Sequence, residues 1–325
     1  MSDACSRHPV PDPCLAARAL SARGAPLFGL MLLLAGGFAL GTPGFANPVN
    51  LAAISRDAAV IGILGTGLTL VVLAGGIDLS CASVLALSAS VMAVLMDRTG
   101  SIALPVLACL ATAALLGTGN ALLVTRLGVP PIVATLATLS LYRVQAMKMV
   151  TLISPLPPGF SRLGAGWAAF AVFAAVLTAA ALALARTPWG RHVYAAGGNP
   201  SALRLSGVSV GATVGWTYVA SGLCAGVAAL VASATLNSVQ GNMFPGYELD
   251  AVAAVVLGGT AITGGRGGVA GTALGAGIMA VLRNGLIVAG LDVYWYQAII
   301  GGAILLTGGV DVLFSRSRVL RESAR

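Results

Sequence analysis

Residues 246–277 read GYELDAVAAVVLGGTAITGGRGGVAGTALGAG: two acids at the front, Arg266 between paired glycines, and small or aliphatic side chains nearly everywhere else. Such a stretch is either a glycine-rich nucleotide loop or two membrane helices joined by a tight turn. A phosphate-binding loop of the form G-x-x-x-x-G-K-[ST] needs a lysine to reach the phosphates and a hydroxyl to hold magnesium. The single lysine of the chain is Lys148, far from this glycine run. The dinucleotide fingerprint G-x-G-x-x-G follows a strand and is answered by an acid about 20 residues on. Here GGRGGVAG lies between two apolar runs of membrane grade. The stretch therefore predicts two helices and a turn, with no ATP hydrolysis by the phosphate-loop route in this chain.

Composition points the same way. Hydrophobic residues make up 58 % of the 325-residue chain and charged residues 9 %, whereas soluble domains carry roughly 25 % charged residues. The mean hydropathy is +0.94. An all-α integral membrane protein is expected. The net charge of +8 is scattered between apolar runs, which makes it a topology signal and not a nucleic-acid patch. Cys5, Cys14, Cys81, Cys109 and Cys224 include no CxxC pair, and three fall in apolar stretches, so neither a disulfide nor a metal is expected.

An apolar stretch of about 20 residues spans a bilayer, and shorter ones are re-entrant or buried among other helices. Ten hydrophobic segments follow in order: 26–41, 58–75, 80–96, 102–124, 129–146, 166–185, 212–235, 249–263, 269–289 and 294–313. The fifth and eighth are candidates for incomplete crossings. The first resembles a signal-peptide core followed by GFA, but the topology needs a crossing there, so it is read as an uncleaved span. With both termini inside, the inner connections hold Arg7, Arg18, Arg23, Arg126, Arg186, Arg191, Arg204, Arg266, Arg316, Arg318, Arg321 and Arg325. The outer connections hold only Arg56, Arg98, Lys148 and Arg162. That asymmetry supports cytoplasmic termini. The organisation is a cytoplasmic N-terminal tail (1–25), a transmembrane domain (26–313) and a basic cytoplasmic C-terminal tail (314–325).

In this topology Glu248 and Asp250 stand at the outer mouth, where the N-terminus of the eighth segment favours negative charge. Arg143 and Arg283 lie within about two turns of outer helix ends, and snorkelling toward the interface is their simplest account, a transport role the alternative. Gly267, Gly271 and Gly275 recur every four residues and are expected to line one close-packed helix face. Residues 68–90 and 252–277 echo each other: an apolar helix, paired glycines, a short polar loop and a helix rich in small residues, as in transporters built from repeats.

Catalytic constellations are scarce. His8 lies in the polar leader and His192 in a cytoplasmic loop, so no Ser-His-Asp set or histidine metal site is available within the membrane. The longest cytoplasmic loop, RTPWGRHVYAAGGNPSALRLSGVSVG (186–211), has helix grammar: Asn199 as N-cap, Pro200 at the first position and Gly207 just past the end. Ala202, Leu203 and Leu205 give the short helix an apolar side and Arg204 a charge. It suits docking in a partner's groove or resting on lipid headgroups.

GGIDLS (75–80), VPPIVATLATLSLYR (129–143), GGNPSALRLSGV (197–208), GYELDAVAAVVLGGTAITGGRG (246–267) and LRNGL (282–286) together resemble the permease subunit of bacterial ABC importers for ribose and related sugars. The resemblance runs from about residue 50 to 313 in the family's order. It implies a permease of the inner membrane that pairs with a second permease copy or paralogue and binds two cytoplasmic ATPase subunits holding ATP and Mg. It also implies a periplasmic sugar-binding protein as donor, with no cofactor in this chain. Asn199, Leu203, Arg204, Leu205 and Gly207 match the family's cytoplasmic coupling loop, with Gly265 and Arg266 as a second contact. Asp78 has two readings, a helix cap shared with Ser80 or an ATPase-facing group. After LYR (141–143) the family continues with Gly and soon a Gly-Gly pair, whereas VQAMKMVTLISPLPPG stands here.

A sugar path needs uncharged hydrogen-bonding groups. Asn120, Thr135, Thr138, Ser140 and Asn284 are the intramembrane candidates, each equally able to join two helices. Two other functions remain at this stage: a branched-chain amino acid ABC permease, and a proton-coupled carrier, which would place an ionisable relay at the bilayer midplane. Every acid is expected near a segment end, which disfavours the carrier.

Overall fold

The computed structural model describes residues 13–150, 154–157, 159–164, 167–291, 295–299 and 301–302. The long helices are α1 (Pro13–Gly41), α2 (Pro48–Leu73), α3 (Cys81–Thr99), α4 (Ala103–Thr125), α5 (Pro131–Met149) and α6 (Ala168–Arg186). Two short helices follow, α7 (Pro188–Gly198) and α8 (Pro200–Leu205), then α9 (Val210–Leu236), α10 (Tyr247–Leu257) and α11 (Val269–Val288). Two-residue strands β1 (Ser154–Pro155) and β2 (Ser238–Val239) pair antiparallel. Nine of the ten hydrophobic segments thus appear as helices in the expected order. The tenth, 294–313, lies mostly outside the described residues, as does the tail 314–325. Helix α1 begins at Pro13, so it reaches into the region expected to be a tail.

Among the described residues, seven helices are long and apolar enough to cross a membrane: Gly24–Gly41 of α1, α2, α3, α4, α6, α9 and α11. The two segments expected to be incomplete are the two missing, for different reasons. Helix α10 has 11 residues, about 16 Å at 1.5 Å per residue, roughly half the hydrocarbon thickness. Helix α5 has the length, with 19 residues, but Tyr142, Arg143, Gln145 and Lys148 crowd its second half.

Helix α2 is the axis of the molecule. Asn47 caps it by accepting from the Val49 N–H, Pro48 supplies a preset first turn, and every residue from Ala59 to Leu73 is buried. A helix apolar or small on all sides is one enclosed by others. It starts ten residues before the hydrophobic run, and this places Asp57 inside the helix, correcting the expectation that all acids lie near segment ends.

Small residues set the spacing of its neighbours. A Cβ on Gly67 of α2 would stand 2.9 Å from the Ser221 Cα of α9, and one on Gly117 of α4 would stand 2.6 Å from the Tyr218 carbonyl oxygen of α9. Gly222 of α9 answers against Ala113 of α4 at 2.5 Å. These i, i+4 small residues bring backbones into van der Waals contact, which replaces the hydrophobic drive that helices lack inside lipid. On α11, Gly271 and Gly275 do this, their missing Cβ positions colliding with the Gly258 carbonyl just past α10 and the Ala254 carbonyl within it. Gly267 does not share that face: it precedes the helix in a left-handed turn at φ 125°, against Thr260.

Candidate functional site

The loop 186–211 holds two helices, one more than its sequence grammar suggested. Thr187 caps α7 by accepting from the Gly190 N–H, and Pro188 opens it. Asn199 caps α8 by accepting from the Ala202 N–H at 3.0 Å. At the other end the Gly207 N–H donates to the Arg204 carbonyl and the Val208 N–H to the Leu203 carbonyl, with Gly207 at φ 81°. This is the glycine-terminated motif that silences the last carbonyls of a helix. Leu203 is 5 % exposed and roots the helix, whereas Leu205 is 91 % exposed beside exposed Arg204. The apolar side is therefore divided, one leucine holding α8 down and one presented outward.

Five glycines from three elements meet beneath α7 and α8. Gly75 follows α2, Gly197 and Gly198 end α7 and lead to α8, and Gly264 and Gly265 form the turn between α10 and α11. Gly75, Gly264 and Gly265 have φ of 85°, 86° and 71°, a region that L side chains rarely enter. A Cβ on Gly264 would lie 3.0 Å from the Cα atoms of both Gly75 and Gly197, and one on Gly265 would lie 2.7 Å from the Gly198 Cα. The Gly265 N–H donates to the Leu73 carbonyl at 2.9 Å, and a Cβ on Gly197 would collide with that same oxygen. Tyr194 of α7 donates to the Gly267 carbonyl at 3.0 Å. Burial pushes the Tyr194 phenol above its ordinary pKa, so it remains a donor. Arg266 is exposed at the tip of the turn.

Asp78 lies in the loop after Gly75. It is 1 % exposed. Its Oδ1 accepts from the Ser80 N–H at 2.9 Å and the Ser80 hydroxyl at 2.6 Å, and its Oδ2 from the Ser221 hydroxyl of α9 at 2.8 Å. Asn120 of α4 donates to Ser80 Oγ at 2.7 Å, leaving its own buried Oδ1 without a partner. Tyr218 and Thr135 both donate to the Ile77 carbonyl at 3.3 Å. The carboxylate thus ties the start of α3 to α4 and α9. Enclosed in this way, it has both of its oxygens taken up by internal hydrogen bonds.

The opposite end of α2, about 24 Å from Leu73 by helix rise, is built from charge. Arg283 of α11 donates to Asp250 Oδ2 at 2.8 Å, and Tyr296 to Asp250 Oδ1 at 2.9 Å. Tyr247 donates to Asp57, and the Arg283 guanidinium lies 4.2 Å from the centroid of the Tyr247 ring. Arg143 of α5 donates to the Met243 carbonyl at 2.7 Å and stands 3.9 Å from Glu248. Both arginines are therefore bound to acids or carbonyls inside the protein, and snorkelling is not their role. Glu248 and Asp250 do occupy the first turn of α10, with each facing one of these arginines.

The five path candidates do not gather. Asn284 exchanges amide hydrogen bonds with Asn50 of α2 at 2.8 and 2.9 Å, joining two helices near the charged end. Asn120 and Thr135 belong to the Asp78 loop at the other end. Thr138 bonds to Thr135 of its own helix, and Ser140 is exposed and bonds to Leu136. Among the described residues no group of three or more His, Cys, Asp or Glu is placed to hold a metal ion.

An enclosed small-residue core, a half-length α10 and a surface helix pair seated on a glycine contact belong to an all-α chain with seven helices, among the described residues, long and apolar enough to cross a membrane. The chain belongs to the family described as branched-chain amino acid transport system / permease component, which matches residues 50–308. It is 34 % identical over 303 residues to the ribose import permease protein RbsC of Bacillus subtilis, covering 90 % of this chain and 92 % of that one. It is 37 % identical over 277 residues to RbsC of Escherichia coli K12 (82 % and 86 % covered). To the fructose import permease protein FrcC of Rhizobium meliloti it is 34 % identical over 303 residues (88 % and 84 %). No solved structure shows a significant match.

Proposed function

We propose that this chain is the inner-membrane permease subunit of an ABC importer for a monosaccharide. It works beside a second permease copy or paralogue, is driven by two cytoplasmic ATP-binding-cassette subunits that hold ATP and Mg, and receives sugar from a periplasmic binding protein. The observation that carries this reading is the match, over more than four fifths of the chain, to relatives named for import of ribose and fructose. The family description names branched-chain amino acids, but sugar permeases are the relatives matched at this length, so the amino acid alternative is set aside. Helix α8 supplies the docking surface: a rigidly capped helix, anchored by Leu203, that presents Leu205 and Arg204 to a partner groove.

The permease is co-expressed with its ATPase subunits, and uptake of labelled ribose, fructose and galactose into vesicles is measured with ATP and with a proton gradient alone. ATP-dependent accumulation of a sugar and co-purification of the ATPase are expected. Arg204→Glu combined with Leu205→Asp should abolish co-purification while leaving the permease monodisperse. Uptake driven by the proton gradient without ATP would sink the reading in favour of a secondary carrier.

A further inference from the structure

The contact beneath α7 and α8 is made through glycine backbone. Backbone meets backbone across three elements at once: the end of α2, the α7–α8 junction and the α10–α11 turn. Where side chains separate two helices, a displacement of one is partly absorbed by rotamer changes on the other. Here Gly264 leaves no room for a Cβ between Gly75 and Gly197, and Gly265 leaves none against Gly198. No side-chain rotamer lies between these backbones to take up motion. Two hydrogen bonds lock the parts in register, from the Gly265 N–H to the Leu73 carbonyl and from the Tyr194 hydroxyl to the Gly267 carbonyl.

We propose that Tyr194 and the glycines Gly75, Gly197, Gly198, Gly264 and Gly265 form a transmission joint. It hands a displacement of α7 and α8 directly to the α10–α11 turn and to the loop that carries Asp78. The inference rests on the docking role proposed for α8 and names the residues that relay its motion. Two outputs leave the joint. Along the 11-residue α10, close-packed on α11 through Gly258 and Gly271, motion reaches Asp250 and the charged end. Through the loop 74–80 it reaches Asp78, whose hydrogen bonds to Ser80 and Ser221 connect the start of α3 with α9. Tyr194 is a positioning residue, the side-chain tether between the surface helices and the turn.

The test uses the whole assembly, permease with ATPase subunits and binding protein, in proteoliposomes. ATPase retention, ATP hydrolysis and uptake are measured together, with whichever of labelled ribose, fructose and galactose the wild type accumulates. Tyr194→Phe removes one oxygen and should keep ATPase retention and hydrolysis, while sugar imported per ATP falls about fivefold, the scale of one lost hydrogen bond. Gly265→Ala should lower that ratio further with the ATPase still bound. Gly128→Asn, at an open left-handed turn with φ 69° and nothing near its Cβ position, should leave the ratio unchanged. If Gly265→Ala does not insert, Tyr194→Phe decides alone. A wild-type ratio in Tyr194→Phe with the ATPase bound overturns the joint. So does loss of ATPase retention in step with uptake, which would make Tyr194 part of docking. A wild-type permease that never retains the ATPase overturns the proposed function and the joint with it.

Discussion

The two ends of α2 solve opposite problems. Around Leu73 three elements meet through glycine backbones held by one amide hydrogen bond and one phenol hydrogen bond. Around Asp57 the chain does the reverse, inserting Arg283, Asp250, Tyr247 and Tyr296 among the same helices. A buried ion pair is strong only while complete, because the loss of one partner leaves a charge out of water. A glycine contact has no such partner to lose but tolerates no added atom. The charged end therefore acts as a clamp on α2, α10 and α11, and the glycine end as a close-fitting contact whose geometry is set by backbone alone.

The contrast can be broken most severely at the clamp. Arg283→Met, with Arg283 only 20 % exposed, leaves Asp250 with Tyr296 alone and should cost about 3–5 kcal/mol. A thermal unfolding series in detergent measures it, and the double variant Arg283→Met with Asp250→Leu should recover much of the loss. A single variant as stable as the wild type would show that the charges clamp nothing. At the other kind of contact, Gly271→Val drives a side chain into the Gly258 carbonyl and should cost about 1–3 kcal/mol by overpacking, read as a lower midpoint with α10 more open to proteolysis. No compensating polar change would restore it. The smallest effect belongs to Asn50 and Asn284. A double-mutant cycle to alanine should return a coupling of about 0.6 kcal/mol, the usual worth of a hydrogen bond between membrane helices. A coupling several times larger would make the pair part of the clamp.

Much of the fold was legible because its signals are local. Apolar length located nine helices, and the same measure flagged the two that fall short. Asn199, Pro200 and Gly207 marked the ends of α8, since capping depends on residues a turn apart. The functional residues were legible in part. Arg283 and Arg143 looked like interfacial cations because nothing in the order of the chain places Asp250 or Glu248 beside them. Asp57 stands at the edge of an apolar run and Asn50 before it, and neither position carries a local cue to its partner. Tyr194 and the pair Gly197–Gly198 stood within a quoted loop, yet their importance depends on a turn some 70 residues away in sequence. The echo between GGIDLS and GGRGG carries Gly75, Gly264 and Gly265, three of the five glycines of the contact.

The sequence by itself determined that this is a helical membrane protein without a phosphate-loop motif, with two apolar segments weaker than the rest and a capped surface helix. Hydropathy, motif grammar and capping act over a few residues, and the chain carries them openly. Only the tertiary structure decided which glycines touch, that Asp78 is enclosed, and that Arg143 and Arg283 are paired with acids. Those properties depend on which atoms occupy the space within a few ångströms across helices, and close packing settles that only when all the helices are in place.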